Sequence, residues 1–366
     1  MNLNNLYNQP LKLEHNRVWR MYTGGLSLEK WNGFKNSKDG HYPEEWIAST
    51  IEARNPDHVS GEGLSRYVLE DGNEILFRDI VNSNPEAFLG KSHVDKYGNS
   101  VAVLVKLIDS YSRLPIQVHP DRLYAKEILG SDFGKTEAWY ILDSRIIERQ
   151  EPYVLLGFKP GITKEIWQNL FNKQDKEGMI NALHLVNIKP NEVYLIEGGV
   201  PHAIGPGYFL IEVQEPTDYT MKVEKTAPDG SPLPDFSLHQ GAGFDKLFDC
   251  FHYDSYSREG TIEKYRKNPC VVNQTNEGQE VSLISYSDTP YFAMNKINVT
   301  GSFKNNKDER FSVDIILAGK GKLIWEGGEM KVSQADQLFL PAGLGDITWQ
   351  CEEVNTLEII KCYPPK

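Results

Sequence analysis

The 366-residue sequence has no run near the ~20 consecutive apolar residues that a membrane-spanning helix needs, so no membrane partner is expected. Its first 16 residues are polar and Asn-rich, without the basic region and apolar core of an export signal. Cysteines are few: Cys250, Cys270, Cys351 and Cys362 show no C-x-x-C spacing, which argues against a zinc ribbon and a disulfide framework. These absences together place the protein in the cytoplasm. Positive charge is also scarce, with 39 Lys and Arg against 51 Asp and Glu, a formal net charge of −12. Nucleic acid is excluded as a partner, because its backbone calls for clustered cations. A small anionic substrate stays compatible, since a few Lys and Arg in a cleft set the local potential whatever the net charge.

What is present is mostly strand signal. Short segments rich in Val, Ile, Leu, Tyr and Phe recur at 101–108, 137–142, 153–158, 193–196 and 209–213, punctuated by Gly and Pro. That habit predicts a mainly β protein of antiparallel sheets, a sandwich or a jelly roll, rather than alternating βαβ units. Residues 163–185 break it: Ile166, Leu170, Met179, Ile180 and Leu183 fall at roughly helical spacing after Pro160-Gly161, predicting a helical insertion at about 160–187. Shorter helices are predicted over 121–129 and 242–249. The polar stretch 254–280 has the composition of a domain boundary, dividing the chain into 1–255 and 256–366. Strand signals resume at 291–299, 311–318, 321–325, 337–340 and 357–362, fitting a second, smaller jelly roll. No histidine follows His252, so no transition metal is expected there.

Chemistry concentrates in three segments. In Leu114-Pro115-Ile116-Gln117-Val118-His119, Gln117 and His119 are two residues apart in a predicted strand and share a face. Gly134-Lys135-Thr136-Glu137 then sets a carboxylate at the mouth of a second strand, and Gly198-Gly199-Val200-Pro201-His202 places another imidazole after a tight turn. Two imidazoles, a carboxylate and an amide oxygen form a set suited to one divalent ion. A strand histidine alone is more often a hydrogen-bonded structural residue. The other seven, His15, His41, His58, His93, His184, His239 and His252, lie in polar or helical contexts that solvent exposure explains.

Those segments, with Tyr22-Thr23-Gly24-Gly25, Pro43-Glu44-Glu45-Trp46, the run Phe209 through Gln214 and Thr217-Asp218, resemble the type I mannose-6-phosphate isomerases of the cupin superfamily. The resemblance spans most of the chain and is most specific in the three segments above. It implies two jelly-roll (cupin) β-barrel domains with a helical insertion, the second free of metal. It further implies one zinc ion per chain on Gln117, His119, Glu137 and His202, and interconversion of mannose 6-phosphate and fructose 6-phosphate through an enediolate.

In that frame Lys135 contacts substrate oxygens or transfers a proton, Glu212 serves as an acid/base or supporting group, and Lys222 is the cation for the phosphate or the transition state. Asp218 orients Lys222, and Trp46 closes a wall of the cavity, with core packing its alternative. Two positions depart from the family pattern. Pro115 stands where relatives commonly carry Ser, and Lys222 where they carry Arg, which keeps the charge but loses the planar fork that grips phosphate. Two histidines and a carboxylate are also the triad of non-haem iron cupin oxygenases. A non-catalytic or altered-specificity metal-binding cupin is the other alternative. The chain is expected to be a monomer or a homodimer.

Overall fold

The structure is a computed structural model and describes residues 3–56, 59–305, 308–352 and 356–366; His58 lies outside them. It is mainly β, and all the strand pairings that build its sheets are antiparallel. One seven-stranded sheet runs in the order Arg266–Lys267, Val193–Ile196, Glu137–Ser144, Tyr208–Gln214, Leu104–Asp109, Glu44–Ile47, Arg17–Val18. It faces a five-stranded sheet ordered Leu183–Val186, Val154–Phe158, His202–Ile204, Gln117–Val118, Met221–Lys222. These are separate hydrogen-bonded layers; the sheet order shows no closed barrel among the described residues.

A second pair of layers is formed almost wholly by the last third of the chain. Its seven-stranded sheet combines six strands between Cys270 and Tyr363 with the N-terminal strand Leu11–Lys12, which pairs with Gln337–Leu340. A four-stranded sheet, from Ser302–Asn305 to Gly328–Ser333 at its two edges, covers the other face. Ile297, Ile316, Leu338, Ile359 and Trp349 fill the space between them.

Period-two alternation explains how the first layers position chemistry. Along 104–109, Val105 and Leu107 turn to an apolar cluster shared with Val313, Ile315, Phe339 and Ile360 of the C-terminal sheet. Lys106 points the other way. In Glu137–Ser144, Ala138 and Tyr140 join that same cluster, while Trp139 and Ile141 pack with Leu156, Ile204 and Leu210 between the first two sheets. Both faces of the seven-stranded sheet are thus buried, and the polar side chains are gathered toward the five-stranded sheet.

Helices cover that five-stranded sheet from outside. The insertion is two helices, Lys164–Lys173 and Lys176–Asn181, followed by the strand Leu183–Val186, so the helical spacing holds to about 181 and then gives way. Thr163 caps the first through Ile166 N–H, and Asp175 caps the second through Gly178 N–H. Trp167, Phe171 and Met179 are buried against Leu155, Ala203 and Met221. The helix expected at 121–129 is Arg122–Leu129, capped by Asp121; the one at 242–249 is a short Phe244–Leu247 turn continued by a 3-10 segment, Phe248–Cys250. Within the polar stretch 254–280 lie a helix, Arg258–Tyr265, and the strands Arg266–Lys267 and Cys270–Gln274. The helices at 77–97 went without a sequence signal. Phe77–Ser83, Pro85–Leu89 and Lys91–Tyr97 are each under eight residues, too short to show a period.

Candidate metal centre and substrate pocket

Two rows of side chains face each other between the first two sheets. Across the five-stranded sheet, Lys222 pairs with Gln117 and Gln117 with His202. Across the seven-stranded sheet, Trp46, Lys106, Glu212 and Trp139 are successive register partners, and Gln214 pairs with Glu137 one step further. Cross-strand register within the seven-stranded sheet thus joins residues that are up to 166 positions apart in sequence.

The loops deliver the remaining members. After Val118 the chain leaves the strand at His119-Pro120, and Asp121 starts a helix by accepting from Tyr124 N–H at 2.7 Å. Gly199 sits at φ 91°, and a Cβ there would lie 2.4 Å from the His252 ring; its N–H donates to His119 O at 2.8 Å. That turn sets His202 beside His119, with ring centroids 4.8 Å apart.

His119, Glu137 and His202 bring their ligand atoms within 4.8 Å of one another, and all three are buried. Both imidazoles are fixed in one tautomer. His119 Nδ1 donates to Tyr219 O and His202 Nδ1 to Val200 O, each at 2.9 Å. Their Nε2 lone pairs therefore face the Glu137 carboxylate, at 3.0 Å and 3.3 Å. Both Nδ1–H groups are spent on backbone carbonyls, and Glu137 Oε2 has no hydrogen-bond partner among the described residues. Two imidazoles and a buried carboxylate converging in this way fit a divalent cation, and carbonyl-anchored imidazoles are the usual support of such ligands. The Lys135 ammonium stands 2.9 Å from His119 Nε2 and 3.4 Å from Glu137 Oε2. Gln117 adjoins the cluster, its amide nitrogen 3.2 Å from His202 Nε2.

The charges agree with this geometry. Burial, reinforced by Lys135, holds the His119 pKa down to about 3, so its imidazole is neutral. Burial alone would raise Glu137, but His119 and Lys135 outweigh it and hold the carboxyl well below the usual range. Glu212 is pushed the other way, up, by burial and then by the Glu137 charge. Trp139 Nε1 lies between the two carboxylates, 3.0 Å from Glu137 Oε1 and 3.2 Å from Glu212 Oε2.

A cleft of about 590 Å³, its open mouth included, runs outward from Gln117, Lys135 and Glu212 past Pro115, Asp218 and Lys222 to Arg54 and Gln240. Five cationic side chains line it, Arg20, Arg54, Lys106, Lys135 and Lys222, against three carboxylates, Glu44, Glu212 and Asp218. The pocket is cationic in a strongly acidic chain. Lys222 is half-buried and donates to Thr220 O and Ser237 O at 3.3 and 3.4 Å; burial lowers its pKa to about 8.

Two expectations need correction. Asp218 is gripped by Arg20, at 3.0 and 3.2 Å, and by the Arg54 N–H at 2.8 Å, so it orients Arg20 rather than Lys222. Trp46 is fully buried behind the pocket wall: its indole N–H donates to Glu44, and Arg20 and Lys106 lie over its ring at 5.1 and 4.8 Å. The reading of the other histidines as exposed also fails for His93 and His184, both buried on backbone carbonyls.

Three charged pocket residues escaped the sequence reading: Arg20, Arg54 and Lys106. Lys106 carried a signal, a single charge within the apolar run 101–108. Arg20 and Arg54 sit in loops and carried none.

Residues 38–140 match the model of the phosphomannose isomerase type I catalytic domain, and residues 283–361 that of the mannose-6-phosphate isomerase cupin domain. The chain is 28% identical to the Bacillus subtilis protein YvyI over 69% of its own length and 72% of that protein's. It is 25% identical to the mannose-6-phosphate isomerase of Streptococcus mutans, over 84% and 90% of the two chains. Its fold is that of the mannose 6-phosphate isomerase from Bacillus subtilis, with a TM-score of 0.72 at 23% identity and coverage of 96% and 99%. Catalytic and cupin models match in order along one chain whose buried His/Glu/His cluster joins segments far apart in sequence, and the chain is similar to the type I mannose-6-phosphate isomerases in both of its matched parts.

Proposed function

We propose that the protein interconverts mannose 6-phosphate and fructose 6-phosphate, with one zinc ion on His119, Glu137, His202 and Gln117. The observation that carries this reading is the convergence of two carbonyl-anchored imidazoles on a buried carboxylate, next to Gln117 and Lys135 of a cationic cleft. A half-turn of the Gln117 amide exchanges its nitrogen for its oxygen beside His202 and supplies the fourth donor. Zinc so held acts as a Lewis acid toward negative charge developing on neighbouring sugar oxygens.

The isomerisation moves a proton from C2 of the aldose to C1 and another from O2 to O1, through an enediolate. Glu212, raised in pKa by burial and Glu137, is the proton carrier in this reading. Lys135 contacts the sugar oxygens beside the cluster, and Lys222 supplies positive charge further along the cleft. Lys106, 3.2 Å from Glu212, and Trp139 hold that carboxylate in place. The paired sheets are taken as two cupin jelly rolls, 1–255 and 256–366, working in the cytoplasm as a monomer or homodimer. Among the described residues no helix is long and apolar enough to cross a membrane.

The same His/Glu/His triad would suit a non-haem iron oxygenase. Gln117 beside the triad and the lysine-rich lining favour the isomerase. A coupled assay on mannose 6-phosphate, with metal analysis of protein purified without added metal, decides between them. Turnover with about one zinc per chain is expected, and Glu137→Gln loses both together. Iron at full occupancy, or zinc without turnover of the sugar phosphate, would sink the proposal.

A further inference from the structure

The cleft's charges divide unequally between the floor and the mouth. Arg20 is consumed by Asp218 and by Glu44, the latter at 3.0 Å. Lys106 lies between Glu212 at 3.2 Å and Glu44 at 3.9 Å. Lys135 belongs to the cluster at the floor. Two lining cations have no carboxylate partner among the described residues, Lys222 and Arg54.

Arg54 is held as a rigid presenter. Its own N–H is fixed on Asp218 at 2.8 Å, and its Nε donates to Gln240 Oε1 at 2.9 Å. The guanidinium lies over the Tyr219 ring at 4.7 Å and near the Phe236 ring at 5.6 Å. Both terminal nitrogens remain uncommitted among the described residues, in a plane already fixed by stacking and by Nε. Gln240 also donates to Ser237 O at 3.3 Å, the same carbonyl that receives the Lys222 ammonium at 3.4 Å. One carbonyl and one amide therefore tie the two free cations together at the mouth.

We propose that Arg54 is the fork that grips the phosphate of the substrate, with Lys222 as its charge partner; this rests on the sugar-phosphate reading above. The pair supplies two positive charges for a group carrying about −1.5 to −2 at neutral pH. The planar donor that Lys222 cannot provide is brought in from another loop, across 168 positions of sequence. With phosphate at the mouth, the reacting carbons of the sugar reach the floor beside Gln117, Lys135 and Glu212. Arg54 is thus a specificity-determining residue: it selects phosphorylated over plain sugars.

The test compares wild type with Arg54→Gln and Arg54→Lys on mannose 6-phosphate and on mannose, and titrates inorganic phosphate into each by calorimetry. Arg54 is exposed, and thermal melts confirm that each variant is folded. In Arg54→Gln, the ratio of kcat/KM for the phosphorylated over the plain sugar should fall roughly 10- to 100-fold, the scale of a lost charge-assisted pair of hydrogen bonds, and phosphate should bind correspondingly more weakly. Arg54→Lys should recover only part of this, because charge returns without the fork. An unchanged ratio, or equal losses on both sugars, overturns the assignment. If wild type turned over neither sugar, the isomerase reading would fail while calorimetry still decided Arg54: weaker phosphate binding in Arg54→Gln supports the grip, and unaltered binding refutes it.

Discussion

At the scale of single residues, Trp139 shows how one donor can serve two charges. Its indole N–H lies within 3.2 Å of both Glu137 and Glu212, two buried carboxylates that repel one another. Trp139→Phe keeps most of the packing volume and deletes that N–H. If the cluster holds a metal as proposed, metal affinity should fall about 10- to 100-fold, as for other losses of support behind a metal ligand. Competition with a chelator measures it, and unaltered affinity would show that the indole only fills space. The cluster of His119, Glu137 and His202 was legible from the sequence because each member sits in a short, chemically distinctive segment. Arg20 and Arg54 were not, since a loop arginine looks the same whether it faces a cleft or bulk water.

At the scale of elements, strand positions followed from β-branched and aromatic runs, and two survive without change of boundary, Val193–Ile196 and Gln337–Leu340. The helical insertion was readable because it is long enough to show its period. Its structural work is to cover the outer face of the five-stranded sheet: Trp167 packs against Phe158 and Phe251, with ring centroids at 5.0 and 5.8 Å. Trp167→Ala should cost about 3–5 kcal/mol of stability, from the lost transfer energy and the cavity left behind. A urea melt checks this, and a loss within experimental error would mean that the helices are not coupled to the sheet. Because the inner face of that sheet carries Gln117 and His202, metal retention near the melting transition should weaken in the same variant.

At the scale of the whole molecule, the N-terminal part and the last third of the chain are joined by a continuous apolar cluster, flanked by a few polar contacts. His93 is one of the buried groups there: its Nε2–H donates to Ser100 O at 2.7 Å, and its ring packs on Tyr97 and Phe311 at 5.0 and 5.3 Å. Burial lowers its pKa below the ordinary value of 6.5. The unfolded chain therefore takes up a proton that the folded one resists. Its contribution is fully present above pH 6.5 and is lost as pH falls toward the folded value, by at most about 1.4 kcal/mol per pH unit. Urea midpoints at pH 7.5 and 5.5 should converge in His93→Phe relative to wild type. An identical pH dependence in both proteins would exclude His93 as a source.

The sequence by itself determined the mainly β character, the helical insertion and the buried cluster of His119, Glu137 and His202, because period, turn chemistry and short motifs are local properties. Only the tertiary structure decided what surrounds them. Register between Glu212, Lys106 and Trp46, the pairing of Asp218 with Arg20, and the meeting of Arg54 with Lys222 depend on which strands become neighbours. That choice is made by burying both faces of a sheet at once, and no local stretch of sequence encodes it.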